Sequence, residues 1–492
     1  MTHASTPPTG GPEAQPNPYK NKAIGLAVAA AVGGFLFGFD SSVINGAVDA
    51  IQEDFDIGSS LTGFVVAVAL LGCAFGAWLG GKLADKFGRT RVMLVGAILF
   101  FVSSILSGLA VGVWDLILWR VLAGIGIGIA SVIAPAYIAE IAPAAMRGRL
   151  GSLQQLAITL GIFAALLSDQ LLQGAAGGAS ETLWLGLPAW RWMFMVAAIP
   201  AAVYGFLALR IPESPRYLIA TGRREEAKDV LASTLGEGVD VEDHVVQIEH
   251  TIATDKKLEA QASLRGPRFG LLPVVWVGIL LSVFQQFVGI NVIFYYSTTL
   301  WQAVGFEESQ SFQVSTFTSI TNVLVTFIAI ALIDKVGRRP LLLTGSIGMA
   351  LTLGVMSLAF TQSTGTGKDV TLAEPWGVIA LVAANLFVVF FGATWGPLVW
   401  VLLGEMFPNR IRAAALGVAA AAQWIANFAI TVTFPPLLDH FGASIPYLMY
   451  AIFAALSFLF TLWKVPETKG VELEDMEGVT VDRSRRGTAA ST

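Results

Sequence analysis

A carboxylate inside a long apolar run can carry a proton, hold a counter-charge or bind a polar solute. Asp40 is placed to do so, in GFLFGFDSSVING, residues 34–46, a stretch otherwise made mostly of small and apolar groups. At the centre of a membrane-spanning helix an ionised carboxylate costs at least about 2.5 kcal/mol. Arg120, in LILWRVLAGIG, is read as the only other ionisable residue well inside an apolar run of the N-terminal half. Asp40 lies about seven residues before the end of its run and Arg120 about six past the start of its own, which puts both roughly 10 Å deep from one side. Equal depth and opposite charge predict an ion pair. Pairing favours the anion and burial without a partner favours the neutral acid. A motion that separates the pair would therefore load a proton on Asp40, and one that restores it would release the proton. A permanent structural pair is the alternative.

A second group of residues suits a neutral, hydroxyl-rich solute. Gln and Asn offer donor and acceptor from one uncharged amide. QQFVGIN carries Gln285, Gln286 and Asn291 in one apolar run, and Gln155, Asn322, Gln423 and Asn427 lie in others. Trp400 and Trp424 supply flat faces and an indole donor each. Gln286 and Asn291 do not share one helical stripe with Gln285, so an irregular helix is expected there, which Gly289 permits. Each amide alone could instead serve helix packing.

The elements that position these residues follow from composition. The chain of 492 residues is 55% hydrophobic and 13% charged, with net charge −5 and mean hydropathy +0.68. Soluble chains carry about 25% charged residues. Twelve apolar runs are predicted as membrane helices near 23–47, 61–84, 92–112, 114–136, 150–172, 190–211, 272–298, 312–334, 340–361, 376–404, 412–437 and 444–465. The fold class is an all-α membrane protein. One set of loops is acidic, as in DAIQEDFDIGSS; the other is basic, as in GKLADKFGRTR, MRGR, DKVGRR and FPNRIR. The positive-inside rule then puts both termini in the cytoplasm, as expected for a multi-pass protein of the inner (plasma) membrane. The single cysteine, Cys73, allows no internal disulfide. No HExxH, CxxC or phosphate loop is present, so neither an enzyme nor a nucleotide-driven pump has visible chemistry, and no cofactor or metal is expected. AGIGIGIA, residues 123–130, has no strand before it, and Gly72, Gly76 and Gly80 are four apart. Both read as close helix packing.

The chain repeats. DKFGR (85–89) is matched by DKVGR (334–338), EIAPAAMR by EMFPNRIR, and PESPR (212–216) by PETKG (466–470). Two six-helix halves follow, residues 21–212 and 271–466, flanked by tails at 1–20 and 467–492. A polar segment, 213–270, joins them; its TGRREEAKDVLASTLG and VVQIEHTIATDKKLEAQ have amphipathic helical spacing. Parallel six-helix repeats are the pattern of a transporter whose halves rock about a central site. Asp85, Arg89, Glu140, Arg147, Asp334, Arg338, Glu405 and Arg412 all fall at the basic edge of the runs, where opposite charges can pair and bias a conformational equilibrium.

These motifs, with RVLAGIGIGIASVIAPAYIAEIAPAAMRGRL, QQFVGINVIFYYS and GPLVWVLLGEMFPNRIRAAA, resemble the sugar porters of the major facilitator superfamily over about residues 22–470. Ile330 departs from the repeat, standing where the first half has Gly81. DSSVINGAV looks most like bacterial glucose–proton permeases. The resemblance implies a monosaccharide and a proton as partners within a lipid bilayer, a monomer, and no nucleic acid. It places Gln155, Gln285, Gln286, Asn291, Asn322, Trp400, Gln423 and Trp424 around a hexose, with Ile158 and Ile162 as apolar lining. It also makes the edge charges a latch for the outward-open state. Some sugar uniporters keep an Asp at the position of Asp40, and xylose symporters carry a Glu where this chain has Ala197. A facilitated-diffusion uniporter and a transporter-like sugar sensor are the alternatives to symport.

Overall fold

A computed structural model describes residues 18–143, 147–235, 240–261, 263–266, 269–364, 371–408 and 411–468. Among them twelve helices are long and apolar enough to cross a membrane. The first six are Asn21–Gly46, Ser59–Phe87, Arg89–Gly108, Val113–Ile141, Leu150–Ala176 and Ala189–Arg210. The second six are Pro273–Tyr295, Glu308–Ala329, Arg338–Phe360, Trp376–Met406, Ala414–Phe441 and Ser444–Lys464. The shortest has 20 residues, enough at 1.5 Å per residue for a hydrocarbon core about 30 Å thick. Helices Pro215–Ala220, Arg224–Leu235 and Val241–Gln261 lie between the two sets. An even number of spans puts both chain ends on one side, called here the terminal face; the opposite side is the far face.

The repeat is visible in the packing. The first span lies along the fifth, the second along the fourth, and the third along the fourth and sixth. The corresponding pairs of the second half, seventh with eleventh, eighth with tenth, and ninth with tenth and twelfth, are packed in the same way. Between halves the second span meets the eleventh and the fifth meets the eighth, a symmetric exchange.

Small residues set how close these helices come. A Cβ on Gly124 would lie 2.0 Å from the Ala69 carbonyl oxygen, and one on Gly128 2.2 Å from that of Cys73. From the second span, Gly72 and Gly76 stand as close to the carbonyls of Val121 and Ile125. The glycine-rich run is thus a helix-packing surface.

Two spans are interrupted where function is expected. The seventh stops at Phe287 and resumes at Ile290, because Gly289 takes a left-handed φ of 82°. A side chain there is excluded twice, by that backbone and by the Tyr450 ring, 2.5 Å from the Cβ position. The tenth breaks at Thr394 between Trp376–Ala393 and Trp395–Met406. Irregular backbone at membrane depth persists only inside protein or beside a cavity.

Gly124→Leu is expected to destabilise the protein by about 1–3 kcal/mol or more, because the inserted side chain meets backbone that cannot turn away. Heating in detergent followed by size-exclusion measures this; an unchanged unfolding temperature would mean that the second and fourth spans are not in this contact.

Candidate functional site

The first span stays helical to Val43 and then tightens into a single turn, Ile44–Gly46. That geometry holds Asp40 against the fourth span. Arg120 Nη1 donates to Asp40 Oδ1 at 2.8 Å, with the two side chains 2% and 7% exposed. The Arg120 guanidinium also sits 5.7 Å from the centre of the Phe194 ring. A small cavity opens beside the pair, lined by Asp40, Ser41, Cys73, Arg120 and, from the seventh span, Tyr295. The charged pair of one half thereby shares a space with the broken helix of the other.

That broken helix carries a relay of amides. Asn291 Nδ2 donates to Gln286 Oε1 at 2.5 Å, and Gln286 Nε2 reaches Gln285 Oε1 at 3.4 Å. Gln285 Nε2 in turn donates to the carbonyls of Trp395 and Gly396, at 3.0 and 2.9 Å. Those carbonyls sit where the tenth span restarts, so the two interruptions are tied together. Gln285 spends its donors on backbone, whereas Gln286 and Asn291 are bonded within the relay. Trp424 meets Phe37 of the first span edge-on, with ring centres 5.7 Å apart. The Gln423 Oε1 has no hydrogen-bond partner among the described residues. Asn322 is buried, and its Oδ1 lies beside Gly392 of the tenth span. Asn427 accepts from Thr431 one turn on. Trp400 is 45% exposed, and Gln155, Ile158 and Ile162 are partly exposed along the fifth span. The fifth and eleventh spans are the least covered of the twelve, with 28% and 33% of their most apolar windows buried.

At the terminal face each half closes on itself in the same way. Arg89 makes a bidentate bond to Glu140, both contacts 3.0 Å, and an ion pair to Asp85 at 3.2 Å. Arg338 does the same with Glu405, at 3.1 and 2.8 Å. Gly88 and Gly337, with φ of 97° and 102°, turn the chain so that the next backbone N–H groups point at a carboxylate. Glu213 accepts from Arg89 N at 2.9 Å, and Glu467 accepts from Arg338 N and Arg339 N at 3.0 Å each. An acid at a helix start is favoured by the free N–H groups there. Ser214 donates to Glu140 and Thr468 to Glu405. Arg412 Nε donates to the Phe407 carbonyl at 3.1 Å. The side chains of Arg147, Asp334 and Ile330 lie outside the described residues, as does Gly470. Glu213, Ser214, Glu467 and Thr468 complete these clusters, yet sequence reasoning gave them no role. Their signal was there: PES and PET occupy the same place in each repeat.

The halves meet at the far face. Thr298 donates to the Asn45 carbonyl at 2.6 Å and its N–H to Asn45 Oδ1 at 3.1 Å. Asp49 accepts from Thr299 at 2.9 Å and from Gln302 at 3.1 Å. Ser59 reaches Asp439, and Glu308 takes the Ala179 N–H. A Cβ on Gly63 would lie 2.6 Å from the Val432 carbonyl oxygen. The far face is therefore shut.

One expectation is corrected. Arg120 is not the only other ionisable residue well inside a span of the first half: Asp169 is fully buried in the fifth. That span runs on to Ala176 rather than ending near 172, so a residue placed near its rim lies inside it.

The family described as Sugar (and other) transporter matches residues 26–479. A glucose transport protein of Synechocystis sp. is 56% identical over 452 residues, 92% of this chain and 96% of that protein. A D-xylose-proton symporter of Escherichia coli is 35% identical, covering 95% and 97% of the two chains. The partially occluded inward-open structure of the E. coli xylose transporter XylE superimposes with a TM-score of 0.79 at 34% identity, covering 92% of this chain and all (100%) of that one.

Far-face closure is expected to depend on pH through Asp49. Burial pushes its carboxyl up to about 6; the Thr299 hydrogen bond opposes the rise and neighbouring Glu308 adds to it. A hydrated Asp in the open state titrates near 3.9, so the closed state binds the proton more tightly, and acid favours closure. The advantage is complete below about pH 4 and is lost as pH rises through about 6. Spin-label distances across the far face measure it, and Asp49→Asn is expected to abolish the component centred near that pH.

Proposed function

The chain belongs to the sugar transporter family of the major facilitator superfamily, and on that premise we propose that it imports a hexose, D-glucose first, together with a proton. The terminal face, with its basic loops, is the cytoplasmic one. The sugar sits between the halves, held by Gln286, Asn291, Asn322, Gln155 and Gln423, with Trp400 and Trp424 against its C–H face and Ile158 and Ile162 completing the lining. Gln285 supports the site by anchoring the seventh span to the tenth. Each copy encloses its own path, so a monomer suffices. Relatives support the substrate and the coupling: one named a glucose transport protein at 56% identity, another a D-xylose-proton symporter at 35%.

The observation that carries the coupling is the buried Arg120–Asp40 bond beside a cavity that Tyr295 of the other half also lines. When the halves rock, Tyr295 moves relative to the pair. With the far face open, protons from outside reach Asp40 and displace Arg120 from it. Sugar and proton then enter the occluded carrier together. With the terminal face open, as the far-face contacts support for this structure, Arg120 recaptures Asp40 and the proton leaves to the cytoplasm. Facilitated diffusion is the second reading, because the resemblance includes sugar uniporters that keep an Asp at the position of Asp40.

Gln286→Ala and Trp400→Ala are each expected to weaken sugar binding by about 1–3 kcal/mol, the scale of one buried hydrogen bond or apolar contact. Calorimetric titration with glucose checks this, and unchanged affinity in both folded variants would move the site elsewhere.

Asp40→Asn is expected to keep sugar binding and exchange of labelled for unlabelled sugar, while uphill accumulation driven by a pH gradient disappears. Proteoliposome uptake with and without the gradient decides it. Accumulation that persists in the variant would make Asp40 structural, and a wild type indifferent to the gradient would make the protein a uniporter.

A further inference from the structure

The transport cycle above uses one acid of the first half, but among the described residues two are buried within its spans. Asp169 has 0% exposed surface, and neither carboxyl oxygen has a hydrogen-bond partner among the described residues. An unpaired charge in that packing would bear the full cost of desolvation. Among the described residues, the cations nearest in sequence and packing are already engaged. Arg120 of the fourth span is bound to Asp40 of the first. Arg191, at the start of the sixth, is bound to Asp54 and to the carbonyls of Gly108 and Ala110. Glu308, on the eighth, is engaged by the Ala179 N–H.

What covers Asp169 is the turn Ile44–Gly46. Gly46 lies so close that a Cβ on it would stand 2.9 Å from Asp169 Oδ2, with Met193 Sδ at the same distance. The residue before it, Asn45, makes the cross-half bonds to Thr298. One turn below Asp169, the Leu166 carbonyl accepts from Thr316 of the eighth span. The lid over this carboxyl is therefore also a jaw of the far-face gate.

We propose that Asp169 is a second proton-exchanging group of the carrier, capped as the neutral acid when the outer gate is shut and ionised when it opens. This rests on the reading of the far face as the outer one. Opening breaks the Asn45–Thr298 bonds, lets water past Gly46, and the Asp169 O–H gives its proton to that water. Closing requires a proton back from the same outer solution. Asp169 thus adds no proton to the transported count; it makes closure of the loaded carrier depend on external acid.

Infrared spectroscopy of the purified carrier in lipid tests this. The carbonyl band of a protonated acid that disappears in Asp169→Asn identifies the residue; Asp169→Ser serves for the same subtraction should the first variant not fold. Gly63→Trp, which forces a side chain against the Val432 carbonyl, wedges the outer gate open. The expected result is a protonated-acid band for Asp169 in the wild type at neutral pH that is replaced by a carboxylate band in the Gly63→Trp background. Absence of the band in the wild type would overturn the proposal. So would the same band in both backgrounds, which would leave Asp169 a structural acid. Because the readout is spectroscopic, it stands apart from whether the sugar or the Asp40 coupling has been assigned correctly.

Discussion

Arg120 and Asp40 share a 2.8 Å bond with almost no exposed surface, and the first half is organised around the consequences of that bond. Removing one partner of a buried pair leaves an uncompensated charge, which costs far more than the intact pair contributes. The pair can therefore be parted only if something replaces the missing charge. A proton on Asp40 is the smallest replacement, and the adjoining cavity gives it a place to arrive. Each span that holds the pair is seated on another neighbour by glycines: Gly38 and Gly161 bring the first against the fifth, and Gly124 brings the fourth against the second.

Coupling through such a pair requires halves that move as units. The duplicated edge clusters serve that end. In each, an arginine, two glutamates and a hydroxyl bind three chain segments of the same half together at the terminal face. Each half is thereby stiffened at that face by bonds of its own. The cross-half bonds gather at the far face, through Asn45, Asp49, Ser59 and Glu308. With rigid halves, opening that face is a matter of breaking a few neutral or singly charged hydrogen bonds. Bonds of that kind contribute about 0.5–3 kcal/mol each, which suits a gate that must also open.

The interrupted seventh and tenth spans form the counterpart in the second half. Gly289 and Thr394 break them, and the Gln285 amide of the seventh bonds the backbone where the tenth restarts. The buried Gln285 amide donors are thus satisfied inside the protein by the carbonyls of Trp395 and Gly396, which a membrane interior demands. Gln286 and Asn291 project from this joint, next to Tyr295 on the Asp40 cavity. The proposed sugar site and the charge pair are therefore adjacent.

Twelve spans, two repeated halves and an acid facing a base at equal depth were all legible from residue order, because hydropathy, periodicity and depth along a helix are properties of the local chain. The break at Gly289 was legible too, since QQFVGIN could not place its amides on one stripe. What the chain order could not disclose was which polar groups find partners. Gln285 reads like its neighbours, yet its donors are consumed by carbonyls 110 and 111 residues away. Glu213 and Glu467 look like ordinary rim charges until Gly88 and Gly337 turn a helix start toward each. Asp169 was passed over, three residues from the end of the run expected at 150–172, and only the apposition of Gly46 and Met193 reveals a carboxyl sealed from water. Partnering and burial are set by helices packed from distant parts of the chain, and tertiary structure alone decides them.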